Sequence, residues 1–202
     1  VQDAPRYKRV EVTAVDERGD ESAGAAIRLV PMGISMNLSP GLLYPMGTFG
    51  EMGAVGYGGL ISFMMNDIII RLFSVGMEGG YYYLPGKDAI ETEAQKTHRL
   101  QIIPFFIKLQ YHQKLYKQLY LAPSLSIGGA YVDLTYITRE KSTLLDNEKK
   151  SSAIEPCANI SLSLEYALPK SLLIGIQGGY GMIFEREYLQ FMHGAVIIGM
   201  RI

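Results

Sequence analysis

The chain is poor in several things, and each shortage excludes something. Its 202 residues contain one cysteine, three histidines and no tryptophan. A single thiol, Cys157, cannot build an intrachain disulfide, and it falls on the small-residue side of an alternating run, where a buried structural thiol is expected. Three scattered histidines and one cysteine have no metal-ligand spacing, so neither a metal nor another cofactor is expected. Charge is nearly balanced, with 19 Lys+Arg against 20 Asp+Glu and a net charge of −1. That leaves no basic field for nucleic acid and no acidic one for a polycation. No apolar run reaches the roughly 18 residues of a membrane helix. With 48% hydrophobic residues the chain could pass for a soluble protein, but membrane-crossing strands conceal apolar residues in alternation. It opens at Val1 without a charged and apolar leader, for which a removed signal peptide is the expectation.

What is present is a period of two. Between Ala158 and Glu185 the even positions read Ala158, Ile160, Leu162, Leu164, Tyr166 and Leu168, then Leu172, Ile174, Ile176, Gly178, Tyr180, Met182 and Phe184. The odd positions read Asn159, Ser161, Ser163, Glu165 and Ala167, then Leu173, Gly175, Gln177, Gly179, Gly181 and Ile183. Such alternation means a strand with two unlike faces, and a Pro169-Lys170-Ser171 break between two runs means a hairpin. Each run is about 11 to 14 residues long, roughly twice an ordinary globular strand. In a soluble barrel or sandwich the large apolar face packs inside and the other face, meeting water, is rich in Lys, Glu, Thr and Arg. Here the second face carries Gly, Ser, Ala and Asn, which suits a cramped interior. The bulky face then looks outward, which is stable only in lipid.

Taken in order, the chain repeats this pattern. Residues 1–25 are polar and charged and read as a flexible periplasmic lead-in, with 26–202 as the barrel. Strands are expected over about 28–38, 52–65, 69–84, 99–112, 119–136, the two runs above, and 188–202. A loop is expected over 39–49, a tight turn at 65–67, a polar loop over 85–97, a turn over 113–117 and a solvated charged loop over 139–152. Connections therefore alternate between short and long. The fold class is all-β: an eight-stranded antiparallel transmembrane β-barrel with short periplasmic turns and longer external loops. On its outer face glycine and tyrosine recur two apart (Gly79 with Tyr81, Gly129 with Tyr131, Gly178 with Tyr180, Tyr57 with Gly59). Glycine permits the bending a small barrel needs, and a ring can cover the bare backbone.

In strand count, loop alternation, the segment Ile102-Ile-Pro-Phe-Phe-Ile-Lys-Leu-Gln-Tyr111 and the closing Gly194-Ala-Val-Ile-Ile-Gly-Met-Arg-Ile202, residues 28–202 resemble the small outer-membrane barrels of the OmpA-transmembrane, OmpX and OmpW group. The resemblance implies a bacterial outer-membrane location and a lipid environment. Two departures stand out: such barrels often end in an aromatic residue, whereas this chain ends in Ile202, and tryptophan is missing from the girdles.

Candidate functional residues fall into three sets. Inward parity collects Glu78, Lys108, Glu165 and Arg201 with Gln177, Gln110, His112 and His193, and opposite charges in so narrow an interior must pair. A polar, largely plugged core is the favoured reading; a narrow channel for small solutes or hydrophobic compounds, as in the OmpW kind, is the alternative. Outward aromatics sort toward the strand ends as two interfacial girdles: Phe63, Phe73, Tyr111 and Tyr166 near the turns, Tyr81, Tyr83, Phe184 and Tyr188 near the loops, with Tyr131 and Tyr180 on the same face. Loops 85–97 and 139–152 carry both signs of charge and could contact host or envelope molecules, giving a structural and surface-interaction role. An enzyme is disfavoured. Some small barrels modify lipid with a serine and a histidine, but His98, Ser142, Ser151 and Ser152 have no spacing that makes a triad, so no catalytic residue is assigned.

Overall fold

A computed structural model describes residues 8–12, 25–29, 33–66, 72–86, 95–139, 146–169, 171–185 and 188–201. Two short strands, β1 (Lys8–Val12) and β2 (Ala25–Leu29), pair antiparallel as a separate sheet that straddles residue 25. The barrel itself begins at β3 (Gly33–Met46), which a single helical turn, α1 (Gly47–Met52), connects to β4 (Gly56–Asn66). Then come β5 (Phe73–Pro85), β6 (Gln95–Tyr111), β7 (Gln113–Tyr116), β8 (Leu119–Arg139), β9 (Asp146–Ala167), β10 (Leu172–Ile183) and β11 (Leu189–Arg201). The sheet runs β6-β5-β4-β3-β11-β10-β9-β8, and β8 pairs back onto β6 to close it. Since β7 continues β6 along the same neighbour after a break at His112, the wall has eight strands.

Parity decides which side chains fill the centre. Ile160, Leu162, Ile174 and Ile176 are exposed on the outer surface, while Ser161, Ser163 and Gln177 are buried. The same sorting holds along β4, with Tyr57, Ile61 and Phe63 out and Leu60 and Ser62 in. The turn and loop ends differ in backbone. Leu72, Lys117 and Ser171, one in each short turn, have positive φ values of 88°, 37° and 65°. At the other end Gly47, with φ 57°, breaks β3 into α1, a conformation glycine adopts at little cost.

Several boundaries differ from the sequence reading. The first barrel strand starts at Gly33 rather than near 28, residues 28–29 belonging to β2, and the second starts at Gly56 rather than 52, which lies in α1. Residues 39–46 continue β3 instead of forming a loop, with Leu42 and Tyr44 outward and Leu43 buried. Two prolines and a glycine disguise this strand. Pro40 has no N–H to donate, and the β11 pairing steps over it, from Ala195↔Gly41 to Ile198↔Leu38. Residues 113–116 are strand β7, and the turn comes at Lys117-Gln118. Loop 139–152 is also shorter than expected: Arg139 ends β8 and β9 starts at Asp146, the two pairing rung for rung. Charge there marks a strand pair wetted beyond the lipid, not an irregular loop. Likewise 95–97 of the expected 85–97 loop belong to β6. The expected strand over 69–84 has its first residues, 69–71, outside the described residues, as do 87–94, 140–145 and 186–187 of the loops.

Strand lengths are correspondingly unequal. Most wall strands have 11 to 14 residues, whereas β8 has 21 and β9 has 22. Pairing of β9 with β10 stops at Cys157↔Ile183, and β9 continues for residues 146–156 against β8 alone. At ~3.3 Å per residue this blade runs about 35 Å along the strand past that rung.

Candidate functional site: a sealed interior with two chemistries

The inward side chains divide by height. Toward the short turns the interior is polar. Asn66 Oδ1 accepts from Ser74 Oγ at 2.8 Å and from Ser35 Oγ at 3.4 Å. Glu165 Oε1 accepts from Gln110 Nε2 at 2.8 Å and Ser163 Oγ at 2.7 Å, and its Oε2 lies 3.6 Å from His112 Nδ1. Nearer mid-height Lys108 Nζ meets Glu78 Oε2 at 2.6 Å, with both residues buried. Register arranges this pair. Gly76 stands opposite Lys108 and Phe106 opposite Glu78, so the two charges are diagonal neighbours on one face. Position 76 must be glycine because of the neighbouring strand: a Cβ there would meet the Phe63 carbonyl oxygen at 2.0 Å and the Met64 sulfur at 2.7 Å. Gln177 Nε2 donates to Ser161 Oγ at 3.0 Å, Ser161 shares a 2.6 Å bond with Ser124, and His193 Nε2 lies 3.1 Å from Asn159 Oδ1.

Toward the loops the interior is apolar, which corrects the expectation of a polar core throughout. Leu43, Leu60, Tyr82, Leu84, Leu100 and Ile102 pack with Phe106, Val132, Ile183, Leu189 and Phe191. Phe49, fully buried at 0% exposure, joins that cluster from α1 and caps it. Gly53 N–H closes the helical turn onto the Phe49 carbonyl at 3.2 Å, and Ala54 N–H ties the returning chain to the Pro85 carbonyl at 2.9 Å. The void left where the two halves meet is only about 10 Å³, lined by Tyr82, Phe106, Asn159 and His193 among others. A water needs roughly 10–15 Å³ measured in that way. At that junction the described side chains leave room for about one water at most.

The predicted interior residues do not form one network. Glu78 and Lys108 pair with each other; Glu165 gathers Gln110, Ser163 and His112; Gln177 and His193 bond to Ser161 and Asn159 on β9. Arg201 is apart from all of these, half-buried with its guanidinium 5.7 Å from the centre of the Tyr120 ring. It sits at the end of β11, where its Nε is buried without a hydrogen-bond partner among the described residues and the Tyr120 ring is the aromatic face beside it. Phe49 was missed, because a phenylalanine inside a Gly- and Pro-rich stretch has no periodicity to flag it. The Asn66, Asn159 and Ser161 acceptors were also missed: inward parity marks their side, not their partners.

All ten outward aromatics lie on the outer surface, Phe63, Tyr81, Tyr166, Phe184 and Tyr188 well exposed and Phe73, Tyr83, Tyr111, Tyr131 and Tyr180 half-buried between neighbours. Phe73 packs on Tyr111 with ring centres 5.0 Å apart, Tyr57 on Tyr83 at 5.5 Å, and Phe184 on Tyr188 at 6.1 Å. At Gly129 the bare backbone is covered from across the sheet rather than from two residues along the strand, while Gly79 and Gly178 have no ring over them. Phe105 is the register partner of Gly129, and a Cβ on Gly129 would lie 2.7 Å from the Phe105 ring. Among the described residues no group of His, Cys, Asp and Glu could hold a metal ion, and no helix is long and apolar enough to cross a membrane.

Eight antiparallel strands closed on themselves, with a packed interior and an apolar outer belt, define a transmembrane β-barrel of the outer-membrane class, and the bacterial outer membrane is its compartment. Comparison with known proteins agrees on the fold. No protein-family model matches the chain, and no curated protein matches its sequence. The barrel is similar to a major outer membrane protein from Thermus thermophilus, with a TM-score of 0.65 at 10% identity over 86% of this chain and 100% of that one. It is also similar to the outer membrane protein OprG from Pseudomonas aeruginosa, with a TM-score of 0.53 at 9% identity over 85% of this chain and 96% of that one.

Proposed function

We propose that this protein is a closed outer-membrane barrel that works as a structural and surface-interaction protein, with its interior serving as a plug. The observation that carries the reading is the interior itself: ion pair, hydrogen-bonded clusters and apolar cap leave only about 10 Å³ unfilled where they meet. Orientation follows from the connections, the short turns lying in the periplasm and the loops outside. The blade of β8 and β9, with the start of β6 beside it, then stands clear of the lipid and is the part available to host or envelope molecules. No catalytic role is proposed, since His112 and His193 both turn into the packed interior. Two measurements test the reading. Refolded protein in a planar bilayer is expected to be electrically silent, and steady openings of a single size would refute the plug. Replacing residues 136–149 by a two-residue turn is expected to leave refolding intact and to abolish adherence of cells displaying the barrel; unchanged adherence would move the interaction elsewhere.

A second reading is favoured by one feature, the apolar character of the loop-side interior under Phe49. A hydrophobic compound entering from outside would meet Leu43, Leu84 and Leu100 once that ring moved aside. Under this reading Phe49→Ala raises uptake of an apolar dye into vesicles bearing the barrel. Under the closed-barrel reading it does not.

A further inference from the structure

The lipid-facing wall is not uniformly ridged. A groove of about 590 Å³ lies between Ile61 and Phe63 of β4 on one side and Ile107 and Ile127 of β6 and β8 on the other, with the outward Met77 of β5 bounding it toward the short turns. Its floor is Gly79, an outward position without a side chain, around which the only atom within 4 Å of an added Cβ is the Pro104 carbonyl oxygen at 3.5 Å. Phe105 stands between Gly79 and Gly129 in register and could cover either. Its ring is committed to Gly129, where a Cβ would find it at 2.7 and 3.0 Å, and that commitment leaves Gly79 bare. The wall is also discontinuous beside it. The β5–β6 pairing passes from Gly79↔Phe105 to Tyr82↔Ile102, skipping the two rungs that include Pro104, which has no N–H to give.

We propose that this groove seats one acyl chain of a membrane phospholipid, held by shape within the hydrocarbon belt. The surroundings identify the occupant, because Ile61, Phe63, Ile107 and Ile127 all face outward on a wall bathed in hydrocarbon, and Ile107 is 67% exposed. A hollow there is filled by lipid tail or left empty at the cost of lost dispersion contacts. Position identifies the source. The lining occupies the mid-height row of Ile61, Gly79 and Phe105 and the next row toward the short turns, Phe63, Met77, Ile107 and Ile127; it does not reach the loop-side row, where β5 carries Tyr81. The chain thus enters from the turn-side leaflet, which in the orientation proposed above is the phospholipid leaflet.

The test uses the full chain refolded into bilayers of palmitoyl-oleoyl phosphatidylethanolamine containing lipopolysaccharide, extracted gently and weighed by native mass spectrometry. Wild type is expected to retain one phospholipid per barrel. Gly79→Leu fills the groove and is expected to lower that occupancy at least tenfold. Gly178→Leu, at a bare outward glycine on the far side with only the His193 carbonyl oxygen at 4.0 Å, is expected to leave it unchanged. If Gly79→Leu does not refold, Ile107→Trp blocks the same groove from its exposed wall and must give the same loss. Equal retention in the filled variants, equal loss in Gly178→Leu, a barrel dimer dissolved by Gly79→Leu without bound lipid, or retention of lipopolysaccharide in place of phospholipid would each overturn the proposal. None of these outcomes bears on conductance or adherence, so the groove and the closed-barrel reading fail separately.

Discussion

Replacing Lys108 by methionine is the sharpest test of a dry interior. Its ammonium is 2.6 Å from Glu78 Oε2, the two residues are 4% and 3% exposed, and the other carboxylate oxygen, Oε1, has no hydrogen-bond partner among the described residues. Methionine matches the lysine stem in length, so packing changes little and the main loss is the charge that Glu78 faces. Removing one member of a buried pair strands the other, at a cost of about 3–5 kcal/mol, against about 0–1 kcal/mol for a pair in contact with water. At about 1.4 kcal/mol per decade this lowers the folded-to-unfolded ratio by about two to nearly four decades. Substituting Glu78→Leu on the same background removes the stranded charge and is expected to return most of the stability, since a buried pair exchanged for apolar groups of similar volume is often neutral or better. The measurement is equilibrium urea unfolding in phospholipid vesicles, followed by circular dichroism and by the mobility shift of the folded barrel. A single variant within about 1 kcal/mol of wild type, with no recovery in the double variant, would mean that water screens Glu78 and that the lumen is wet.

Other outcomes follow from the same geometry. Glu165→Leu strips the acceptor from Gln110, whereas Ser163 Oγ keeps the Ala122 carbonyl at 3.2 Å, and is expected to cost about 1–3 kcal/mol for the one donor left buried, read in the same titration. Arginine at Ile176, mid-wall and 61% exposed, is expected to destabilise by about 2–4 kcal/mol, and at Leu172, the first residue of β10, by about 0–1 kcal/mol; equal costs would mean that no hydrocarbon surrounds the wall. Gly129→Ala forces the Phe105 ring aside and is expected to lose about 1–3 kcal/mol, part of it recovered by Phe105→Ala. A cysteine at Ile160 is expected to react with a lipid-soluble maleimide, one at Ser161 not to react, and buried Cys157 to stay silent in both; the reverse pattern would turn the barrel inside out.

Alternation alone determined the architecture, because a period of two leaves each residue no choice of face once one face is known to be lipid. Ile160 and Ser161 could be placed on opposite sides of a wall from composition, and so could Glu78 and Lys108 inside it. Strand ends were less legible. Pro40 and Pro45 made the end of β3 look irregular, and the charges from Asp146 to Lys150 made a strand pair look like a loop, since residues past the lipid obey no apolar pattern. What tertiary structure alone decided is who meets whom. Register sets Lys108 diagonal to Glu78, sends Phe105 to cover Gly129 rather than Gly79, and leaves Arg201 at the mouth beside Tyr120. Closure of the wall brings residues far apart in the chain to one height, so that Phe49 can seal an apolar cap that no local sequence announces. Facing is a local property of a strand, whereas partnership depends on how eight strands are staggered around a common axis.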